Sequence, residues 1–208
     1  MLPSLPLCLE WLDFAPSSSL ESPSQPGNFV AVGTFEPEIE IWSLDVVESL
    51  FPDAILGLPD KTKAHVPVPI STGKKKKKKA KARVINAEYH IDAVLSLSWN
   101  RTHRNLLASA SADTTVKLWD LTRESTAGAI RSFDVHKDKV QAVQWNPVEG
   151  TVMLTGSYDR SVRTFDSRAP KAGVGAILGA DVEAVRWDPW EPHCFYVGFR
   201  RVSPSVKA

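Results

Sequence analysis

The chain has 208 residues, 43% of them hydrophobic, with 25 lysines and arginines against 24 aspartates and glutamates. That is enough apolar material for a packed core, and no run approaches the ~18 apolar residues that a membrane-spanning helix needs. Two cysteines, Cys8 and Cys194, form neither a disulfide framework nor a metal-ligand spacing, and they read as incidental thiols of a reducing compartment.

The opening MLPSLPLCLEWL has no basic region ahead of its apolar residues, so it reads as a strand rather than a secretion signal. Residues 7–12 (LCLEWL) give the first expected strand. A loop rich in serine and proline follows from Ala15 to Asn28, where proline removes backbone donors and serine competes for them. NFVAVGTF and EIEIWSLD are two further β-type runs separated by the turn-like Glu36-Pro37, so residues 1–45 read as one divergent repeat.

Between residues 46 and 82 the pattern stops. Pro52, Pro59, Pro67 and Pro69 lead into Gly73 and then six consecutive lysines. Residues 74–83 hold eight of the 25 basic side chains and no acid, leaving 17 basic against 24 acidic residues elsewhere. An attached cationic arm, Lys74, Lys75, Lys76, Lys77, Lys78, Lys79, Lys81 and Arg83, is expected on an otherwise mildly acidic body. Such an arm suits a nuclear or nucleolar targeting signal, direct salt-sensitive contact with RNA or an acidic protein, or a solvated loop without a partner. No aromatic residue is interleaved, so base stacking is not indicated.

Residues 83–198 carry the regular part. RVINA (83–87) reads as an outer strand leading into AVLSLSW, NLLASAS and TVKLW. GAIRSF (128–133) is the next outer strand, ahead of KVQAVQW, TVMLTGS and SVRTF. Trp99 and Trp145 are 46 residues apart, as are His90 and His136, Asp113 and Asp159, and Trp119 and Phe165. A further unit begins at DVEAVRWDPW with Trp187 and continues as HCFYVG; the pattern then fails in GFRRVSPSVKA, so residues 199–208 read as a tail outside it.

A period in the forties, with short apolar strands and a terminal Trp-Asp, is the signature of WD40 propeller blades. The expected fold is therefore all-β: a partial WD40 β-propeller with about three to four blades. In such a blade the imidazole bridges a carboxylate and a hydroxyl, and the hydroxyl meets the indole N–H. The set is His90, Ser109 (or Ser111), Asp113 and Trp119 in one repeat. In the next it is His136, Thr155 (or Ser157) and Asp159, where Phe165 supplies no N–H. Leu178 stands at the histidine position of the last unit. The same residue types form hydrolytic triads, but no G-x-S-x-G elbow is present and a catalytic site is needed once rather than in every repeat. His65, His103 and His193 are isolated, and no metal, cofactor or phosphate-loop spacing occurs, so no cofactor is expected.

LCLEWLDF, NFVAVGTFEPEIEIWSLDVVESL, the lysine run, HIDAVLSLSWNRTHRNLLASASADTTVKLWD and VHKDKVQAVQW with LTGSYDRSV together resemble the periodic tryptophan protein 1 family. The resemblance covers roughly residues 5–198 and implies a non-enzymatic nucleolar scaffold of ribosome biogenesis and rRNA processing, with pre-ribosomal proteins or RNA as partners. It implies neither a membrane nor a small-molecule substrate. A chromatin-associated protein that binds histones is the alternative, and a hydrolase a remote third. Family members carry an acidic region before the propeller and further blades after the fourth. The chain is accordingly expected to be an internal piece of a longer protein, its last residues supplied by something like intron read-through.

Overall fold

A computed structural model of the chain describes residues 5–17, 26–58, 86–124 and 127–200. Among them, all regular structure is β except one 3-10 turn at Pro170–Ala172. The strands are β1 (Pro6–Phe14), β2 (Pro26–Thr34), β3 (Ile39–Ser43), β4 (Ala54–Leu56), β5 (Val94–Trp99), β6 (Leu106–Ser111) and β7 (Val116–Asp120). They continue with β8 (Arg131–Phe133), β9 (Val140–Trp145), β10 (Val152–Ser157), β11 (Ser161–Asp166), β12 (Val174–Ile177), β13 (Val182–Trp187) and β14 (Phe195–Phe199). Each pairs antiparallel with its sequence neighbour, giving sheets β1-β2-β3-β4, β5-β6-β7-β8, β9-β10-β11-β12 and β13-β14.

The innermost strands of successive sheets lie side by side, β1 against β5, β5 against β9 and β9 against β13. Three hydrophobic cores fill the gaps between sheets. Trp99 lies in the core between the first two sheets, Trp145 between the second and third, and Trp187 between the third and fourth. An inner-strand tryptophan in every gap accounts for the spacing of these rings in the sequence, since burying such a side chain contributes on the order of 2 kcal/mol. Trp11, at the corresponding place in β1, is half exposed and meets Trp99 edge-on at 5.8 Å.

A middle sheet must bury both of its faces, and β6 shows how. Leu107 enters the first core while Ala108 and Ala110 enter the second, so the strand is buried from Leu107 to Ser111 rather than alternating.

Two strands differ from the sequence expectation. The outer strand of the first sheet is β4, which pairs with β3 from within the segment where the pattern stops. It was hidden because three residues, AIL, are too few to show a period. Of RVINA, Asn86 and Ala87 are described and lie outside any strand. β12 was not expected either, because VGAI is fully exposed and edge-placed, with no buried face to pattern it. The lysine run, Lys74–Lys79 with Lys81 and Arg83, lies outside the described residues.

Candidate functional site

His90 is set just before β5, Ser109 lies within β6, Asp113 in the β6–β7 turn and Trp119 on β7. These four positions converge. Asp113 Oδ2 stands 2.8 Å from His90 Nδ1, and Ser109 Oγ is 2.7 Å from His90 Nε2. Trp119 Nε1 donates to the same Ser109 oxygen at 2.8 Å. The partners fix the tautomer: Nδ1–H faces the carboxylate, and Nε2 accepts from the serine. Burial lowers the His90 pKa and favours this neutral ring, although the Asp113 hydrogen bond and charge oppose the shift. Burial alone would raise Asp113, yet the bonds from His90 and Thr115 hold its carboxyl well below the usual range.

The third sheet repeats the arrangement. His136 Nδ1 lies 3.2 Å from Asp159 Oδ2, and His136 Nε2 lies 2.8 Å from Thr155 Oγ1. Phe165 is buried at the place of Trp119 and packs against Phe133, ring centroids 5.3 Å apart and tilted by 54°, instead of bonding to Thr155. Ser111 and Ser157, the alternatives to Ser109 and Thr155, lie elsewhere: each donates to the carbonyl two residues after the histidine, Asp92 and Asp138.

Two members escaped the sequence reading. Thr115 Oγ1 donates to Asp113 Oδ1 at 2.7 Å, and Ser161 Oγ donates to Asp159 Oδ1 at 2.6 Å. They too are 46 residues apart, and that shared offset was the available signal. The first sheet is built differently: Trp42 Nε1 donates to Glu40 Oε2 at 2.9 Å.

A second periodic set joins the sheets to one another. The residue before each inner-strand tryptophan accepts the backbone N–H of the next tryptophan. Glu10 Oε1 accepts from Trp99 at 3.0 Å, Ser98 Oγ from Trp145 at 3.0 Å, and Gln144 Oε1 from Trp187 at 2.7 Å. The asparagine after two of these tryptophans reaches across as well: Asn100 Nδ2 donates to Gly150 O and Asn146 Nδ2 to Pro192 O.

Chemically, the His–Ser–Asp sets are closed. His90 and Ser109 have no exposed surface, and the Ser109 proton and oxygen are both engaged within the blade. A groove of about 620 Å³ is lined instead by the inner strands, with Glu10, Arg101, Gln141, Glu183 and Arg186 on its walls. No member of either network borders it. Among the described residues, no cluster of three or more histidine, cysteine or acidic side chains is placed to hold a metal ion.

A sequence profile for the WD domain, G-beta repeat family matches residues 84–120 and 128–166, the stretches that contain both networks. Periodic tryptophan protein 1 of Saccharomyces cerevisiae is 44% identical over 133 residues, which is 64% of this chain and 22% of that protein. The chain carries WD40 repeats and has homologues named periodic tryptophan protein 1. The Drosophila melanogaster periodic tryptophan protein 1 homolog is 34% identical over 64% of this chain and 24% of its own length. A WD repeat-containing protein of Schizosaccharomyces pombe is 50% identical over 95% of the chain. The chain spans about a third of that protein's length, 35%. A solved chain in a crystal structure of the mitotic checkpoint complex superposes with a TM-score of 0.53, covering 77% of this chain and 39% of that one at 20% identity. That likeness places the fold among WD40 propellers and carries nothing further. The four tryptophans Trp11, Trp99, Trp145 and Trp187, one on the innermost strand of each sheet, recur along the chain.

Proposed function

We propose that the chain is a non-enzymatic scaffold of ribosome biogenesis that acts in the nucleolus, in rRNA processing, on pre-ribosomal proteins or RNA. Its homology to periodic tryptophan protein 1 carries this reading. The closed networks support it, because every histidine–hydroxyl–carboxylate set is engaged in holding a blade, which leaves binding as the work of loops and rims. In this reading the lysine arm directs nucleolar accumulation and touches RNA through its phosphates.

A chromatin role is the second reading, favoured by the acidic balance of the body outside the lysine run, which would attract basic histone segments. Affinity purification of the full-length protein separates the two. Recovery of pre-ribosomal RNA with assembly factors supports the first, and nucleosomes without them support the second.

A further inference from the structure

We propose that the loop between β3 and β4 is a docking surface for a basic protein segment with apolar anchor residues. Leu44, Val46, Val47, Leu50 and Phe51 are all exposed on it, Val47 to 87%, Leu50 to 82% and Phe51 to 78%. Apolar side chains concentrated this way on a surface mark an interaction site. The fold does not require them. The topologically equivalent β7–β8 connection exposes Thr122, Arg123 and Glu124 with the single large apolar side chain Ile130, at 37%, among its described residues, and the β11–β12 connection exposes Arg168, Ala169, Lys171, Ala172 and Gly173, with no large apolar side chain.

The loop is also pinned at its base. Leu44 N–H donates to Asn28 O, Ser43 N–H to the Asp53 carboxylate, and Asp53 N–H to Ile41 O, at 2.7, 2.7 and 2.8 Å. Such anchoring fixes where the two ends of the loop leave the sheet, which lowers the ordering cost of binding.

Charge complementarity identifies the partner. Residues 1–58 contain nine aspartates and glutamates and no lysine, arginine or histidine. Asp45 and Glu48 are exposed within the loop itself. Nucleic acid is therefore repelled from this blade, and a cationic polypeptide is drawn to it. The inference is independent of the ribosomal reading, since it concerns one blade and the chemistry that fits it.

The test uses the full chain and a fluorescent synthetic peptide in which lysines alternate with leucine and phenylalanine, read by anisotropy at physiological ionic strength. Val47→Asp and Phe51→Asp are decisive, because each makes the loop more acidic while removing an anchor. The structure calls for binding weakened about tenfold or more by either change, as loss of an interface anchor does. Arg123→Ser, in the polar loop of the second sheet, should leave binding intact, and all variants should melt like the parent. Unchanged or tighter binding by the aspartate variants, equal binding of an oligolysine, or binding of polyuridylate that the same variants abolish would each overturn the proposal. So would a peptide of residues 61–83 that binds with the same sensitivity, or self-association that Phe51→Asp abolishes, since the occupant would then be the chain itself.

Discussion

Trp119 donates its indole N–H to the Ser109 hydroxyl at 2.8 Å, whereas Phe165, 46 residues later, has no N–H to offer Thr155. The second blade thus links four side chains, Asp113, His90, Ser109 and Trp119, whereas in the third the Thr155 hydroxyl meets the Arg163 carbonyl at 3.3 Å and no indole. Trp119→Phe should destabilise the chain by about 2 kcal/mol, combining a lost hydrogen bond with a small cavity. Chemical denaturation checks this, and a loss near zero would show that the indole bond contributes nothing.

Acid should unfold the protein in two stages. The folded His90 pKa lies below its ordinary 6.5, so the unfolded chain takes up a proton first and stability falls as the pH drops below that value. Asp113 is also held below its ordinary 3.8, so its contribution is present above that pH and is lost as the pH falls toward the folded value. Both shifts act in one direction. Melting temperature measured between neutral and mildly acidic pH should decline, and His90→Gln should flatten the part of the decline nearest neutrality.

Thr114 has φ 77° and Arg160, its counterpart in the next repeat, φ 65°. Both occupy the left-handed region directly after the turn aspartate, where a β-branched residue is strained. Thr114→Gly should therefore raise stability by about 1 kcal/mol, through relief of that strain. Arg160→Gly should give a smaller gain, since arginine is not β-branched. A lowered melting temperature in Thr114→Gly would contradict the argument.

Burial raises the Glu10 pKa, against the Trp99 N–H it accepts and the nearby Arg101 and Arg186 charges. The charged form is thus disfavoured in the folded chain, and stability from this group grows as the pH falls through its folded pKa toward the ordinary carboxylate value of 4.5. Glu10→Gln keeps an oxygen for Trp99 without the charge and should match or exceed the parent at neutral pH. Glu10→Leu leaves that buried N–H unpaired and should lose about 1–3 kcal/mol. Equal stability of the two variants would show that the bond between the sheets is dispensable.

Removing Lys74–Lys79 should reduce nucleolar accumulation of a fluorescent fusion without changing its melting temperature. Unchanged localisation would remove the targeting role proposed for the arm.

Much of this was legible because it recurs. His90, Ser109, Asp113 and Trp119 were readable as one set since His136, Thr155 and Asp159 repeat their spacing, and β5–β7 and β9–β11 share one apolar pattern. What was missed either lacks an apolar pattern or bonds across sheets. β4 is too short and β12 too exposed to show a period. Serine alone could not say whether Ser109 or Ser111 faces the imidazole, because both β6 positions share one strand face and differ only in depth along it. The acceptors Glu10, Ser98 and Gln144 are chemically unlike one another, so their common position before a tryptophan gave no composition signal. Of the apolar loop, Leu44 read as the end of the first repeat and Val46–Phe51 as the start of a patternless segment, because exposure is a property of the fold and not of the residues.

The central claim is that the histidine, serine and aspartate of the second blade hold the fold and do not perform chemistry. Equilibrium unfolding of Ser109→Ala tests it most directly. That change leaves His90 Nε2 and the Trp119 N–H, both buried, without their shared partner. The account predicts a loss of about 2 kcal/mol or more in stability. Unchanged stability, together with the selective loss of a hydrolytic turnover, would contradict it.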